Sequence, residues 1–136
     1  MSTATLQPGE GAIADRPVFT VTFVCMGNIC RSPTAHGVFR DRVARAGWAD
    51  RVRVDSAGTH GWHEGAPPDA RSQQHAARRG YDLSDLRSRP LRDVDFLQAD
   101  LLLVMDDDNE AVARSRCPDA HQHKVRRLTE FCQRYR

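Results

Sequence analysis

The chain has 136 residues and a mass of 15.3 kDa, enough for one domain and too short for two. Its 40% hydrophobic residues can build one core, while 28% charged residues and a mean hydropathy of -0.60 describe a water-facing surface rather than a membrane protein. A net charge of +2 is too small to argue for a nucleic-acid partner.

Residues 1–17 are polar, carry Pro8, Gly9, Gly11 and Pro17, and have no hydrophobic period, so they are expected to form a flexible tail. The β-branched and aromatic run Val18 to Val24 predicts a buried strand. It leads through Cys25-Met26-Gly27-Asn28-Ile29-Cys30-Arg31 to Ser32-Pro33, a good N-cap followed by a good first helical residue. Ala35, Val38, Phe39, Val43 and Ala46 then recur at helical spacing, and Gly47 closes the helix. Val52–Asp55 predicts a second strand. Pro68–Arg79 predicts a helix stopped by Gly80, Asp100–Met105 a third strand, Asp106–Arg116 a helix, and Lys124–Leu128 a fourth strand. Strand and helix alternate, which implies an α/β fold, a small doubly wound domain with a four-stranded parallel sheet.

In such sheets ligands sit beyond the carboxyl ends of the strands, against helix N-termini. The segment Cys25 to Ser32 lies at such a place. A tight loop of residues 25–31 can turn its backbone N–H groups inward and attract a phosphate dianion, helped by the helix that follows. The same field favours the thiolate of Cys25. Arg31 can grip two phosphate oxygens, and the Ser32 hydroxyl can donate to sulfur or phosphate. Nucleophile and anion trap thus share one site, as covalent phosphoryl transfer requires. Cys30 is either a redox partner that protects Cys25 as a reversible disulfide or a reduced, buried thiol. The four cysteines are too sparse for a disulfide scaffold and no secretory signal is evident, so a cytoplasmic protein is expected. His60, His63 and His75, or Cys117 with His121 and His123, lack a structural zinc spacing, and no metal or cofactor is expected. The arginines Arg71, Arg78, Arg79, Arg87, Arg89 and Arg92 are read as solvated surface charge.

The run Val24-Cys25-Met26-Gly27-Asn28-Ile29-Cys30-Arg31-Ser32-Pro33-Thr34-Ala35 closely resembles the signature of the low-molecular-weight protein tyrosine phosphatases. The likeness continues through Asp55-Ser56-Ala57-Gly58-Thr59, Trp62-His63-Glu64-Gly65, Pro68-Asp69, Arg89 and Met105-Asp106 with Asn109. It implies a phosphatase domain over residues 18–136, acting on phosphotyrosine proteins or small aryl phosphates, with inorganic phosphate as product and inhibitor. No nucleic-acid or membrane partner is implied. Cys25 would form a phosphocysteine, Arg31 would bind the phosphate, and Ser32 would support the thiolate. Asn28 would hold the loop's backbone shape with Ser56 as its hydrogen-bonding partner, and Trp62 would line the substrate cleft. Ile29 stands where related phosphoarginine phosphatases usually have threonine, which favours tyrosine as substrate.

Three departures stand out. Family members place a general-acid aspartate before a proline near the C-terminus. No Asp-Pro pair occurs in these 136 residues, so no general acid is assigned, and the domain is expected to be C-terminally incomplete relative to the family. Leu86 stands where a histidine commonly braces the phosphate loop, leaving Asn28 to rely on Ser56 alone. His36, where glutamate is frequent, reads as helix-surface variation. Two rival functions keep the scaffold: an arsenate reductase, which needs a resolving cysteine pair near the site where Cys117 and Cys132, far along the chain, are not obviously placed, and a phosphate- or phosphopeptide-binding module with little turnover.

Overall fold

A computed structural model describes residues 18–131; the expected tail, residues 1–17, and Cys132 lie outside the described residues. The elements are β1 (Phe19–Cys25), α1 (Arg31–Arg45), β2 (Val52–Gly58), α2 (Ala70–Arg78), α3 (Asp93–Gln98), β3 (Leu101–Val104), α4 (Asp107–Arg116) and β4 (Val125–Arg127). Short 3-10 turns at Asp119–Lys124 and Leu128–Phe131 flank β4. The four strands form one parallel sheet in the order β2-β1-β3-β4. The predicted α/β architecture is therefore the one adopted.

Alternation along the strands explains why helices cover both faces. Val21, Phe23 and Leu103 point to one side, where α1 packs through Ala35 and Phe39. Phe23 and Phe39 meet edge to face at 5.8 Å. Val24, Leu102, Val104 and Val125 point to the other side and join Phe96 of α3 with Ala113 and Cys117 at α4. No helix among the described residues is long and apolar enough to cross a membrane.

Several boundaries differ from expectation for identifiable reasons. The first turn of α1 starts at Arg31 with Cys30 at the N-cap, so Ser32 and Pro33 are helical residues rather than cap and first position. Both are buried, because the helix begins against the loop instead of in solvent. Its end agrees better: Gly47 adopts φ +81°, a left-handed turn that glycine accepts without strain. Ala46 is exposed and outside the helix, so the apolar stripe ends with the buried Val43. Asp69 caps α2 by accepting from the Ser72 amide at 3.1 Å. Strand β2 runs three residues beyond the apolar pattern, to Gly58, because Gly58 is paired with Cys25 on one side and with Pro90 on the other. The six-residue helix α3 was not foreseen; burial of Phe96 in the shared core, more than intrinsic propensity, keeps so short a helix.

Candidate active site

Strand β1 lies inside the sheet, with α1 leading to β2 on one side and β3 pairing on the other. The crevice at its carboxyl end is the point where strand order reverses. Residues 26–30 turn there between Cys25, the last residue of β1, and Arg31, the first of α1. A cleft of about 290 Å³ opens above the turn, lined by Cys25, Met26, Gly27, Ile29, Cys30, Arg31, Trp62 and His63. The structure thus gathers six of the seven predicted loop residues and Trp62 around one opening, while Asn28 is buried and does not line it. A wider hollow of about 540 Å³ at the start of α2, lined by Asp69, Ala70, Arg71 and Gln74, holds no nucleophile.

Cys25 is buried, with its Sγ 3.0 Å from the Ser32 Oγ. The Asn28 Nδ2 donates to that same Ser32 oxygen at 2.8 Å, so the hydroxyl proton is free to point at sulfur. Asn28 has φ 56°, the left-handed conformation that turns the loop and that asparagine tolerates better than most residues. No acidic side chain occupies the first turn of α1, so its positive end is left to whatever anion enters the cleft. Arg31 is half exposed and its Nη1 lies 2.9 Å from Asp106 Oδ2, which anchors the guanidinium at the cleft mouth. Partial burial pushes the Asp106 carboxyl up, but the Asn109 amide and the Arg31 guanidinium outweigh it and hold it below its ordinary value. Asp106 also caps α4.

The loop's supports differ from those the resemblance implied. Asn28 Oδ1 accepts from the Arg89 backbone N–H at 2.9 Å, and the Ser88 hydroxyl donates to Gly27 O at 2.8 Å. Ser56, the implied partner of Asn28, bonds instead to His36 Nδ1 at 2.9 Å. His36 is therefore no surface residue: it is buried between α1 and β2. Burial and then the Arg40 guanidinium lower its pKa to about 4, against opposing pulls from Asp55 and Asp85 and with a further push from Arg89. Leu86, which cannot hydrogen-bond, packs with Ala76 and Leu83 in a separate apolar cluster.

Arg89 also departs from the surface reading. Its guanidinium is largely buried and bridges Asp55 Oδ2 at 2.8 Å and Asp95 Oδ2 at 2.9 Å. Burial works against its charge, yet the bonds to Asp95 and Asp55 prevail and raise its pKa. The other five arginines of that group are exposed. The Arg89 pair of bridges anchors the segment 88–91 beside β2: Gly58 N donates to Arg89 O at 2.9 Å and Leu91 N to Gly58 O at 2.7 Å. Gly58 is needed because a Cβ there would lie 2.8 Å from Met26 O and 3.0 Å from Gly27 C. Sequence spacing missed these supports, since their partners are dozens of residues away from the loop.

Cys30 is exposed rather than buried, and both it and Cys25 are free thiols on the same cleft. Cys117 lies at the opposite end of α4 from Asp106, buried, where burial pushes its thiol up. Among the described residues no three His, Cys, Asp or Glu side chains gather as a metal site would need.

A model of the low molecular weight phosphotyrosine protein phosphatases matches residues 20–136. The chain belongs to that family. It is similar to the low molecular weight protein-tyrosine-phosphatase YfkJ of Bacillus subtilis, 35% identical over 84% of this chain and 73% of YfkJ. A Streptomyces coelicolor member is 42% identical over 83% of this chain and 69% of its own length. Among solved structures, a protein tyrosine phosphatase from Entamoeba histolytica with Hepes in the active site superposes with a TM-score of 0.83. It is 36% identical, with 87% of this chain and 75% of that chain covered. The crystal structure of YfkJ itself gives a TM-score of 0.84 at 33% identity, covering 88% of this chain and 76% of that one. The four-stranded parallel sheet with its flanking helices is thus the fold of the family.

Proposed function

We propose that this member of the family is a protein-tyrosine phosphatase that hydrolyses phosphotyrosine and other aryl phosphate monoesters through a phosphocysteine on Cys25. The observation that carries the reading is the thiol of Cys25 held 3.0 Å from the Ser32 hydroxyl at the floor of an anion-binding loop. In the first step the Cys25 thiolate attacks phosphorus in line and the phosphorus–oxygen bond to the phenol breaks. Charge on the three equatorial oxygens is met by the loop amides, the α1 terminus and Arg31. Water then attacks the phosphocysteine, releasing inorganic phosphate and returning the thiolate. The Ser32 hydroxyl donates to sulfur as it departs.

A basic phenolate leaves well only when it is protonated, whereas an activated one can depart as the anion. No Asp-Pro pair occurs in these 136 residues, and a positioned acid typically contributes ~10²–10⁴-fold. The 136-residue chain is therefore expected to turn over activated aryl phosphates and to slow sharply as the leaving phenol becomes more basic. A plot of log kcat/KM against leaving-group pKa should fall steeply; a flat plot would show that another group supplies the proton.

The central experiment is rapid quench with an activated aryl phosphate, followed by mass spectrometry. One phosphoryl group on the peptide containing Cys25, together with a burst of phenol equal to the enzyme present, is the expected outcome. Cys25→Ser should show neither. Tight phosphate binding without a burst would favour the binding-module reading, and arsenate-dependent loss of thiols the reductase reading.

A further inference from the structure

The loop that follows β2 carries an arrangement that phosphate chemistry alone does not explain. Its backbone is fastened to the phosphate loop: Thr59 N donates to Cys25 O and His60 N to Met26 O, each at 2.9 Å. Two residues further on, Trp62 stands 69% exposed, yet it lines the cleft. An indole that open to water has several rotamers available unless something holds it. The holder is His60, whose imidazole stacks on the indole with ring centres 4.3 Å apart and planes inclined by 30°. His60 does not itself line the cleft, and its Nδ1 lies 3.0 Å from Thr59 Oγ1, which fixes the ring's rotation. The path therefore runs from the loop backbone, through Thr59 and His60, to the one large aromatic wall of the cleft.

We infer that His60 is a positioning residue for substrate selection, setting the indole of Trp62 as a rigid plane beside the bound phosphate so that flat aryl esters are preferred. This rests on the phosphatase reading for its substrate class. His60 does not touch the reacting atoms; it lowers the ordering cost of the wall against which the aryl ring lies. The stack belongs to a class of contact whose loss changes affinity roughly 2- to 10-fold.

The test uses the full chain with Trp48→Phe, so that Trp62 is the sole tryptophan. On that background His60→Ala, His60→Phe and Thr59→Val are compared. Four readouts are taken: KM and kcat with a phosphotyrosine peptide, the affinity for benzylphosphonate relative to inorganic phosphate, and time-resolved anisotropy of Trp62. His60→Ala should raise KM and weaken benzylphosphonate several-fold, leave kcat and phosphate affinity unchanged, and free the indole on the nanosecond scale. His60→Phe should restore the affinity ratio and the anisotropy, because a flat ring again backs the indole. Thr59→Val should fall between them. An unchanged benzylphosphonate-to-phosphate ratio in His60→Ala would overturn the inference, as would weakening of phosphate in step with the aryl ligand. If the parent showed no turnover at all, the phosphatase reading would fail, while the affinity ratio and anisotropy would still decide the role of His60.

Discussion

Asn28 connects three roles in one residue: it bends the loop, bonds the Ser32 hydroxyl that faces the Cys25 sulfur, and fastens the turn to the segment at Arg89. These can be separated. Asn28→Gly keeps access to the left-handed backbone but removes two buried hydrogen bonds, each worth about 0.5–1.5 kcal/mol. The expected outcome is a chain with a near-native circular dichroism spectrum whose Cys25 is alkylated by iodoacetamide about 10-fold more slowly, the hydroxyl no longer being aimed at sulfur. Unchanged alkylation would mean that Ser32 needs no guide. At this scale the sequence was informative wherever partners are neighbours. Cys25, Arg31 and Ser32 announce a candidate site because they fall within eight consecutive residues. His36 did not announce itself, since only the arrival of Ser56, 20 residues later, turns a helix residue into a buried brace.

Among the elements, the extended segment 88–91 has the largest leverage for its length. It touches the loop of residues 26–30 through Ser88 and Arg89, lies along Gly58, and is held by the Arg89 guanidinium between β2 and α3. Arg89→Met leaves Asp95 buried with its charge unpaired, a loss of about 3 kcal/mol. Urea unfolding should show it as a lower midpoint with unchanged slope, and kcat should fall more than the stability loss explains because the loop loses its strap. Arg89→Lys cannot reproduce the two-carboxylate bridge and should rescue only part. Strand β1 and helix α1 were legible from their apolar patterns, whereas this segment has no pattern to read. Its order comes from ion pairs and from a sheet edge, and α3 beside it is too short to leave a periodic trace.

For the molecule as a whole, the buried His36 makes stability depend on pH. Its pKa falls from an ordinary 6.5 to about 4 on folding. Above pH 6.5 the ring is neutral folded or unfolded and contributes no slope. Between pH 6.5 and 4 the unfolded chain takes up a proton that the folded chain refuses, so stability drops as pH falls, by roughly 3 kcal/mol once both states are protonated. Arg40, Asp55, Asp85 and Arg89 face the ring and set this window. His36→Gln keeps a hydrogen bond to Ser56 without titrating; chemical denaturation from pH 7 to pH 4 should show a shallower decline than the parent by that amount. Equal declines would place the acid sensitivity in the carboxylates alone. The global plan was the most legible level of all, because four strand-like segments alternating with helices admit few topologies, whereas the sheet order β2-β1-β3-β4 is set by tertiary pairing that the sequence pattern does not display.

The bare, acid-free first turn of α1 has a practical corollary for anyone handling this protein. On the proposed phosphatase reading, phosphate from a saline buffer would compete with the ester for this helix end, and in the Entamoeba relative a sulfonate, Hepes, lies in the active site. On that reading, purification and assay in a cationic amine buffer with chloride would keep the pocket vacant for the ester under study.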